Sequence, residues 1–212
     1  MKPFKILYVY DAMCGWCYGF SPVIKKLAVV HEADCDFDVI SGGMVLGERA
    51  GLIQKQMAEY ILQAIPRVEE YSGIRFGDMH KKQIAEGTLY QSSLLPSIAL
   101  STFKTYLPDK ALAFASSIQY AFFHEGKSLE EDNTYIDLIA PYNIPTEKFI
   151  EQLHSDEMRY AAQQDFQYAS EMGITGFPAV IGIKNEKYYL LARGFLPFEQ
   201  LDETFNRFKE SE

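Results

Sequence analysis

The chain opens on an apolar run, Phe4 to Tyr10, and soon after it presents Cys14-Gly15-Trp16-Cys17. A run that is apolar on both faces reads as an interior strand of a sheet covered on both sides. A cysteine pair with this spacing, just past such a strand, reads as the first turn of a helix with both sulfurs on one face. Together the two patterns demand a β–α unit whose strand lies inside the sheet and whose helix begins at the cysteines. Few arrangements satisfy that demand, so the rest of the chain is read for what completes it.

The next segments complete a β–α–β unit. Val23, Ile24, Leu27 and Val30 fall at helical spacing over 21–30, and Phe37 to Ile40 is a short strand ended by Ser41-Gly42-Gly43. Strand signals then stop. From Leu52 to Ile65, Ile53, Met57, Tyr60, Ile61 and Ala64 form one apolar stripe of a helix. Asp109 is expected to cap a helix carrying Leu112, Ile118 and Phe122 that Gly126 ends. Ser128 and Glu131 have the spacing of a capping box. Pro145-Thr146 opens a helix with Phe149, Ile150 and Leu153. This middle stretch reads as wholly helical, without repeats or low-complexity segments.

Near the end the alternation returns. Ser155-Asp156-Glu157 starts a helix that Gly173 closes. Ala179 to Ile183 and Tyr188 to Ala192 read as an antiparallel hairpin turning at Asn185-Glu186, and a last helix bears Leu201, Phe205 and Phe208. The order β-α-β, helical block, α-β-β-α is that of an α/β domain split by an insertion. Residues 1–42 and 157–212 are expected to form the split domain, close to the ~100 residues of a small α/β unit, and 43–156 a helical insertion packed against it.

With 29 acidic and 20 basic residues, the 212-residue chain has a net charge of −9. That balance argues against nucleic acid and against anionic membrane surfaces, both of which select clustered Lys and Arg. No run approaches the ~18 apolar residues of a membrane span, and Asp11 interrupts the N-terminal run before it reaches signal-peptide length. A cytoplasmic location is therefore expected. In that reducing compartment three cysteines do not make a disulfide framework.

Redox chemistry is the leading reading of Cys14 and Cys17, with metal binding and inert thiols as the others. At a helix start, Cys14 meets unpaired backbone N–H groups and the positive end of the helix dipole, which favour a thiolate. Cys14 is expected to be the exposed nucleophile, and Cys17, one turn later, the buried thiol that resolves the mixed disulfide. Trp16 offers a flat apolar surface beside the sulfur. Asp11 is expected to be a solvated strand-end residue, with a proton carrier or helix-entry group as the alternatives. Structural zinc needs four ligands, and Cys35 with the scattered His31, His80, His124 and His154 supplies no second half, so no metal is expected. Cys35, between Asp34 and Asp36, reads as an unreactive structural thiol, and the histidines as surface or packing residues.

The segment from Asp11 to Pro22, with Cys14-Gly15-Trp16-Cys17 at its centre, resembles the active-site region of DsbA-type thioredoxin-fold oxidoreductases. It is most similar to the cytoplasmic branch called FrnE-like or predicted protein-disulfide isomerases. Met172 to Val180, containing Gly176-Phe177-Pro178-Ala179, resembles the loop that carries the family's cis-proline. The resemblance implies a thioredoxin-like fold with an all-helical insertion acting as a lid. It also implies a cis bond before Pro178, and a substrate-facing surface made by Gly15, Trp16, Phe177 and Pro178, with the Phe177 side chain touching the sulfur. The implied activity is thiol–disulfide exchange, or protein-disulfide isomerisation, with protein or small thiol substrates. Glutathione is a candidate thiol partner, and no cofactor is implied beyond the redox-active cysteines. Gly15 stands where relatives often have proline, and no histidine follows it as in periplasmic DsbA. The couple is therefore expected to be less oxidising than that of periplasmic DsbA.

Two other readings compete. Kappa-class glutathione transferases and 2-hydroxychromene-2-carboxylate isomerases share an insertion-bearing thioredoxin fold but use a single nucleophile with glutathione, leaving Cys17 without a task. A binding module would instead use Phe114, Tyr120, Phe122 and Phe123 as an apolar groove, although aromatics at helical spacing are more often core.

Overall fold

The computed structural model describes residues 2–210. Strand β1 (Phe4–Tyr10) is the second strand of a four-stranded sheet, and helix α1 (Gly15–Val30) carries the chain over to β2 (Cys35–Ser41), parallel to β1. Strand β5 (Ala179–Lys184) pairs antiparallel with the other side of β1, and β6 (Lys187–Arg193) closes the sheet in the order β2-β1-β5-β6. The β5–β6 hairpin turns at Asn185 and Glu186, both at positive φ (51° and 62°), as a tight turn matching the strand twist requires. Ile6, Tyr8 and Tyr10 point into the larger core, and Leu7 and Val9 into a smaller one on the opposite face. Both faces of β1 are covered, as its apolar run demands.

Helix α1 runs unbroken through Pro22, with Cys17, Tyr18, Phe20, Ser21, Ile24 and Leu27 buried along it. Proline inside a helix forfeits a backbone hydrogen bond; burial of these side chains outweighs that loss. Helix α8 (Asp156–Glu171) starts where its cap predicts, with Ser155 Oγ accepting from Met158 N at 3.2 Å, and Gly173 follows at φ +71°. Its Ala169 packs under Leu7, Val9 and Ile181. Helix α9 (Phe198–Glu210) buries Leu201, Phe205 and Phe208.

Between β2 and α8 lie α2 (Lys55–Ser72), α3 (Asp78–Glu86), α4 (Leu94–Tyr106), α5 (Ala111–Phe123), α6 (Asp132–Ile139) and α7 (Thr146–Leu153). This helical insertion holds one small exception, a two-residue ladder of β3 (Gly51–Leu52) with β4 (Tyr90–Gln91). Phe103 and Phe114 stack at 4.0 Å in the core that the insertion shares with the sheet. Phe114, Phe122 and Phe123 are buried there and build core, while Tyr120 is exposed and lines a shallow surface cavity with Tyr18 and His124.

Two local expectations fail. Asp109 lies inside a 3-10 turn and caps nothing. The capping box does not form: Ser128 Oγ accepts from Glu130 N at 3.2 Å, and α6 begins only at Asp132 without a side-chain cap. The apolar stripe over 53–64 is divided: Ile53 is buried and Ile61 packs on the core, while Met57 and Tyr60 are exposed. The inner side of α2 is Ala58, Ile65 and Val68, with Val68 and Ser72 close against Gly19 of α1.

Candidate active site

Cys14 occupies the capping position of α1 (φ −89°, ψ 108°), and its Sγ accepts from Cys17 N at 3.2 Å. An N–H aimed at the sulfur is the contact that holds a thiolate at a helix start. On its other side Cys14 Sγ–H donates to Phe177 O at 3.6 Å. The expected exposed nucleophile is thus nearly covered, at 5% exposure against 0% for Cys17. The cause is the loop 163 residues away in sequence, whose carbonyl lies on the sulfur. Both cysteines are free thiols. Burial, followed by the adjacent Cys14 sulfur, pushes the Cys17 thiol well above its usual range.

The Phe177–Pro178 bond is cis. The Phe177 ring is packed onto Gly42 so closely that a Cβ there would stand 2.0 Å from its Cε1. The carbonyl, and not the ring as the resemblance implied, is therefore what meets Cys14. Trp16 sits between Tyr71 of α2 (6.2 Å) and Phe195 (5.9 Å), and Gly15 leaves room for the Phe76 ring. The loop leading into β5 and the start of α1 thus bring Cys14, Cys17, Gly15, Trp16, Phe177 and Pro178 to one end of the sheet.

Asp11 overturns the expectation of a solvated residue. It is fully buried, and Met13 N (2.9 Å), Ser93 Oγ (2.8 Å) and Met44 N (2.7 Å) all donate to its carboxylate. Gln119 Nε2 donates to its backbone carbonyl. Burial pushes its pKa up, against the opposing pull of these donors. Asp11 ties the turn before Cys14 to the exit of β2 and to the start of α4. The bond to Met13 is an Asx turn, the one local signal that could have found it. Asp11→Ala would strand three buried donors, at ~1–3 kcal/mol each, and relieve one buried charge. A net loss of about 2 kcal/mol is expected in urea denaturation at neutral pH; a variant as stable as the wild type would contradict the role of Asp11 as a structural knot.

The remaining thiol and imidazoles stay apart from this end. Cys35 is buried and pushed up to about 12, by burial first and by Asp36 less. His31 meets Asp202 at 2.6 Å and His154 meets Asp132 at 2.8 Å. His124 stacks on Tyr120, and His80 is buried against Phe122 and Phe123.

The family profile described as Thioredoxin matches residues 7–200. Among solved structures, a candidate protein disulfide isomerase from Nitrosomonas europaea is similar over 99% of this chain and 98% of its own, with TM-score 0.87 and 25% identity. The cytosolic disulfide reductase DsbM from Pseudomonas aeruginosa is similar over 98% of this chain and 100% of its own, with TM-score 0.79 and 21% identity. Among curated proteins, the ClpXP adapter protein SpxH of Bacillus subtilis is 22% identical over 84% of this chain. The chain spans 58% of the length of that relative.

Proposed function

The chain belongs to the thioredoxin family, and on that premise we propose that it is a thiol–disulfide oxidoreductase working through Cys14 and Cys17. The observation that carries the reading is the Cys17 N–H aimed at Cys14 Sγ, with Cys17 itself fully buried and its thiol pushed up. Two sulfurs so placed divide the work. Cys14 thiolate attacks one sulfur of a substrate disulfide, forming a mixed disulfide and releasing the other sulfur as a thiolate. Cys17 then attacks Cys14 Sγ, the bond to substrate breaks, and the Cys17 proton ends on the departing thiolate. The substrate is reduced by two electrons, and the pair is oxidised to a Cys14–Cys17 disulfide. Reaction with another thiol or disulfide runs the same steps backwards or reshuffles them.

Trp16, Phe177 and Pro178 form the walls against which substrate lies, and Gly15 lies beside them against the Phe76 ring. Protein thiols and glutathione are the partners we assign, in the cytoplasm. The likeness to a cytosolic reductase, of which one structure is described as containing GSH, supports that assignment. The glutathione transferase and 2-hydroxychromene-2-carboxylate isomerase alternative has a fold relative in an isomerase of TM-score 0.65. It gives the buried Cys17 nothing to do, and the dithiol reading is therefore preferred.

The test is a redox titration against glutathione, with the Cys14–Cys17 disulfide quantified by mass. A disulfide that forms reversibly at a potential below that of periplasmic DsbA is expected, where ~30 mV corresponds to ~1.4 kcal/mol. Failure of the pair to oxidise at any glutathione ratio would remove the proposal.

A further inference from the structure

At the end of the sheet that carries the dithiol, the buried hydroxyls of Tyr8, Tyr10 and Ser41 have no hydrogen-bond partner among the described residues. Tyr8 and Tyr10 lie two residues apart on β1 and enter the same core, with their rings 5.9 Å apart. Tyr10 has Ser41 as its register partner on β2. Tyr8 is set differently. Its ring lies 5.9 Å from that of Phe20, one helical turn beyond Cys17 on the same face of α1, and its hydroxyl faces the Cys17 sulfur. A buried hydroxyl without a partner is costly, and such a group calls for a task. The thiol–disulfide chemistry derived so far gives Tyr8 none.

Resting on the dithiol exchange proposed above, we infer that Tyr8 is the hydrogen-bond donor that stabilises Cys17 as a thiolate during exchange. While Cys17 is a thiol, Tyr8 Oη stands without a partner; the thiolate supplies one, through a charge-assisted bond. In resolution Cys17 Sγ loses its proton to the departing substrate sulfur, the Cys17–Cys14 bond forms and the Cys14–substrate bond breaks. In reverse, a substrate thiolate attacks Cys14 Sγ and Cys17 leaves as a thiolate. Tyr8 donates to the Cys17 sulfur in both directions and keeps its own proton, because burial and the neighbouring sulfurs push the phenol well above its usual range. The titratable groups that bear on this corner are Cys14, Asp11 and Tyr10, and, beyond Tyr10, Tyr135 of α6 and Asp165 of α8. Each is an anion when ionised and opposes a thiolate at Cys17, whereas the Asp11 backbone and the Tyr8 hydroxyl favour it. The donor speeds a step without moving the endpoint, since the dithiol keeps Cys17 protonated and the disulfide carries no charge.

The test mixes reduced protein with dithionitrobenzoate. One coloured thiolate is released as Cys14 attacks, and a second as Cys17 displaces the mixed disulfide, the Cys17 proton passing to water. Tyr8→Phe removes only an unpartnered hydroxyl, a change the fold tolerates. Its second release is expected to slow about tenfold, and the rise of that rate with pH to lie about one unit higher. The first release, and the dithiol–disulfide equilibrium with glutathione at neutral pH, are expected to stay unchanged. Tyr10→Phe removes the neighbouring hydroxyl from the same core and is expected to change neither release. An unchanged second release in Tyr8→Phe overturns the assignment. Equal slowing in Tyr10→Phe, or an equilibrium that moves as far as the rate, also overturns it and marks a packing effect. A wild-type protein that releases the first thiolate but never the second refutes dithiol exchange itself, and the role of Tyr8 falls with it.

Discussion

Cys17→Ala is expected to accumulate mixed disulfides joined through Cys14, and Cys14→Ala to accumulate none. The asymmetry follows from position. Cys14 Sγ lies at the helix start with a backbone N–H on it, whereas Cys17 is wholly enclosed and its thiol is pushed up by burial. A protonated, enclosed thiol cannot make the first attack, but it stands next to the sulfur it must attack second. An intramolecular thiol held in this way replaces an external one with a large effective concentration. Loss of Cys17 should therefore slow release of the mixed disulfide by about a thousandfold or more at millimolar glutathione. Non-reducing gels and mass spectrometry of trapped adducts decide the matter. Equal trapping by the two variants would reverse or abolish the assigned roles.

Asp165→Asn is expected to raise stability at pH 7 by roughly 3 kcal/mol. Asp165 of α8 is half-buried beside β2, and burial raises its pKa to about 6, although Lys104 of α4 pulls it down; Asp38 of β2 adds to the rise. A carboxyl raised in the folded state holds its proton more tightly there than in the unfolded chain. Its stabilisation is full below the usual carboxylate range and is lost as pH rises to about 6. His80 has the opposite sign. Burial among Phe76, Phe122 and Phe123 lowers it to about 4. Its contribution is full above pH ~6.5 and is lost as pH falls through about 4. Between those limits the two slopes oppose each other, and the wild-type stability should be nearly level. Removing Asp165 uncovers the histidine. The Asp165→Asn variant should lose roughly 3 kcal/mol between pH 6.5 and 4, and adding His80→Leu should flatten that loss. Urea denaturation at three pH values measures all of this, and a single variant that is no more stable than wild type at pH 7 would refute the burial of Asp165.

Local patterns made much of the molecule legible in the sequence. Phe4 to Tyr10 is apolar on both faces because it is an inner strand, and Asn185-Glu186 turns because two residues there must adopt positive φ. Ser155 caps α8 through a bond three residues away. Each of these signals lies within a few residues of its effect. Where such a signal failed, a competing bond a few residues away had replaced it. Ser128 and Glu131 have the spacing of a box, yet the Thr134 hydroxyl donates to the Ser128 carbonyl and α6 starts later.

The cysteine pair and its place after β1 were legible in the sequence, since spacing fixes which sulfurs share a helix face; its relation to the Pro178 loop came only with the resemblance to a family motif. Tertiary structure decided how that pair is dressed. The Phe177 carbonyl on Cys14, the burial of Asp11 beneath donors from Met44 and Ser93, and the close approach of Val68 and Ser72 to Gly19 all join parts of the chain far apart in sequence. Periodicity says that a helix has an apolar face, but not which neighbour reaches it first. On α1 the missing side chain of Gly19 lets Val68 and Ser72 close in, and that contact left Met57, Tyr60 and Tyr71 to solvent. Two apolar stripes compete within α2, and close packing buries the one through Ala58, Ile61, Ile65 and Val68.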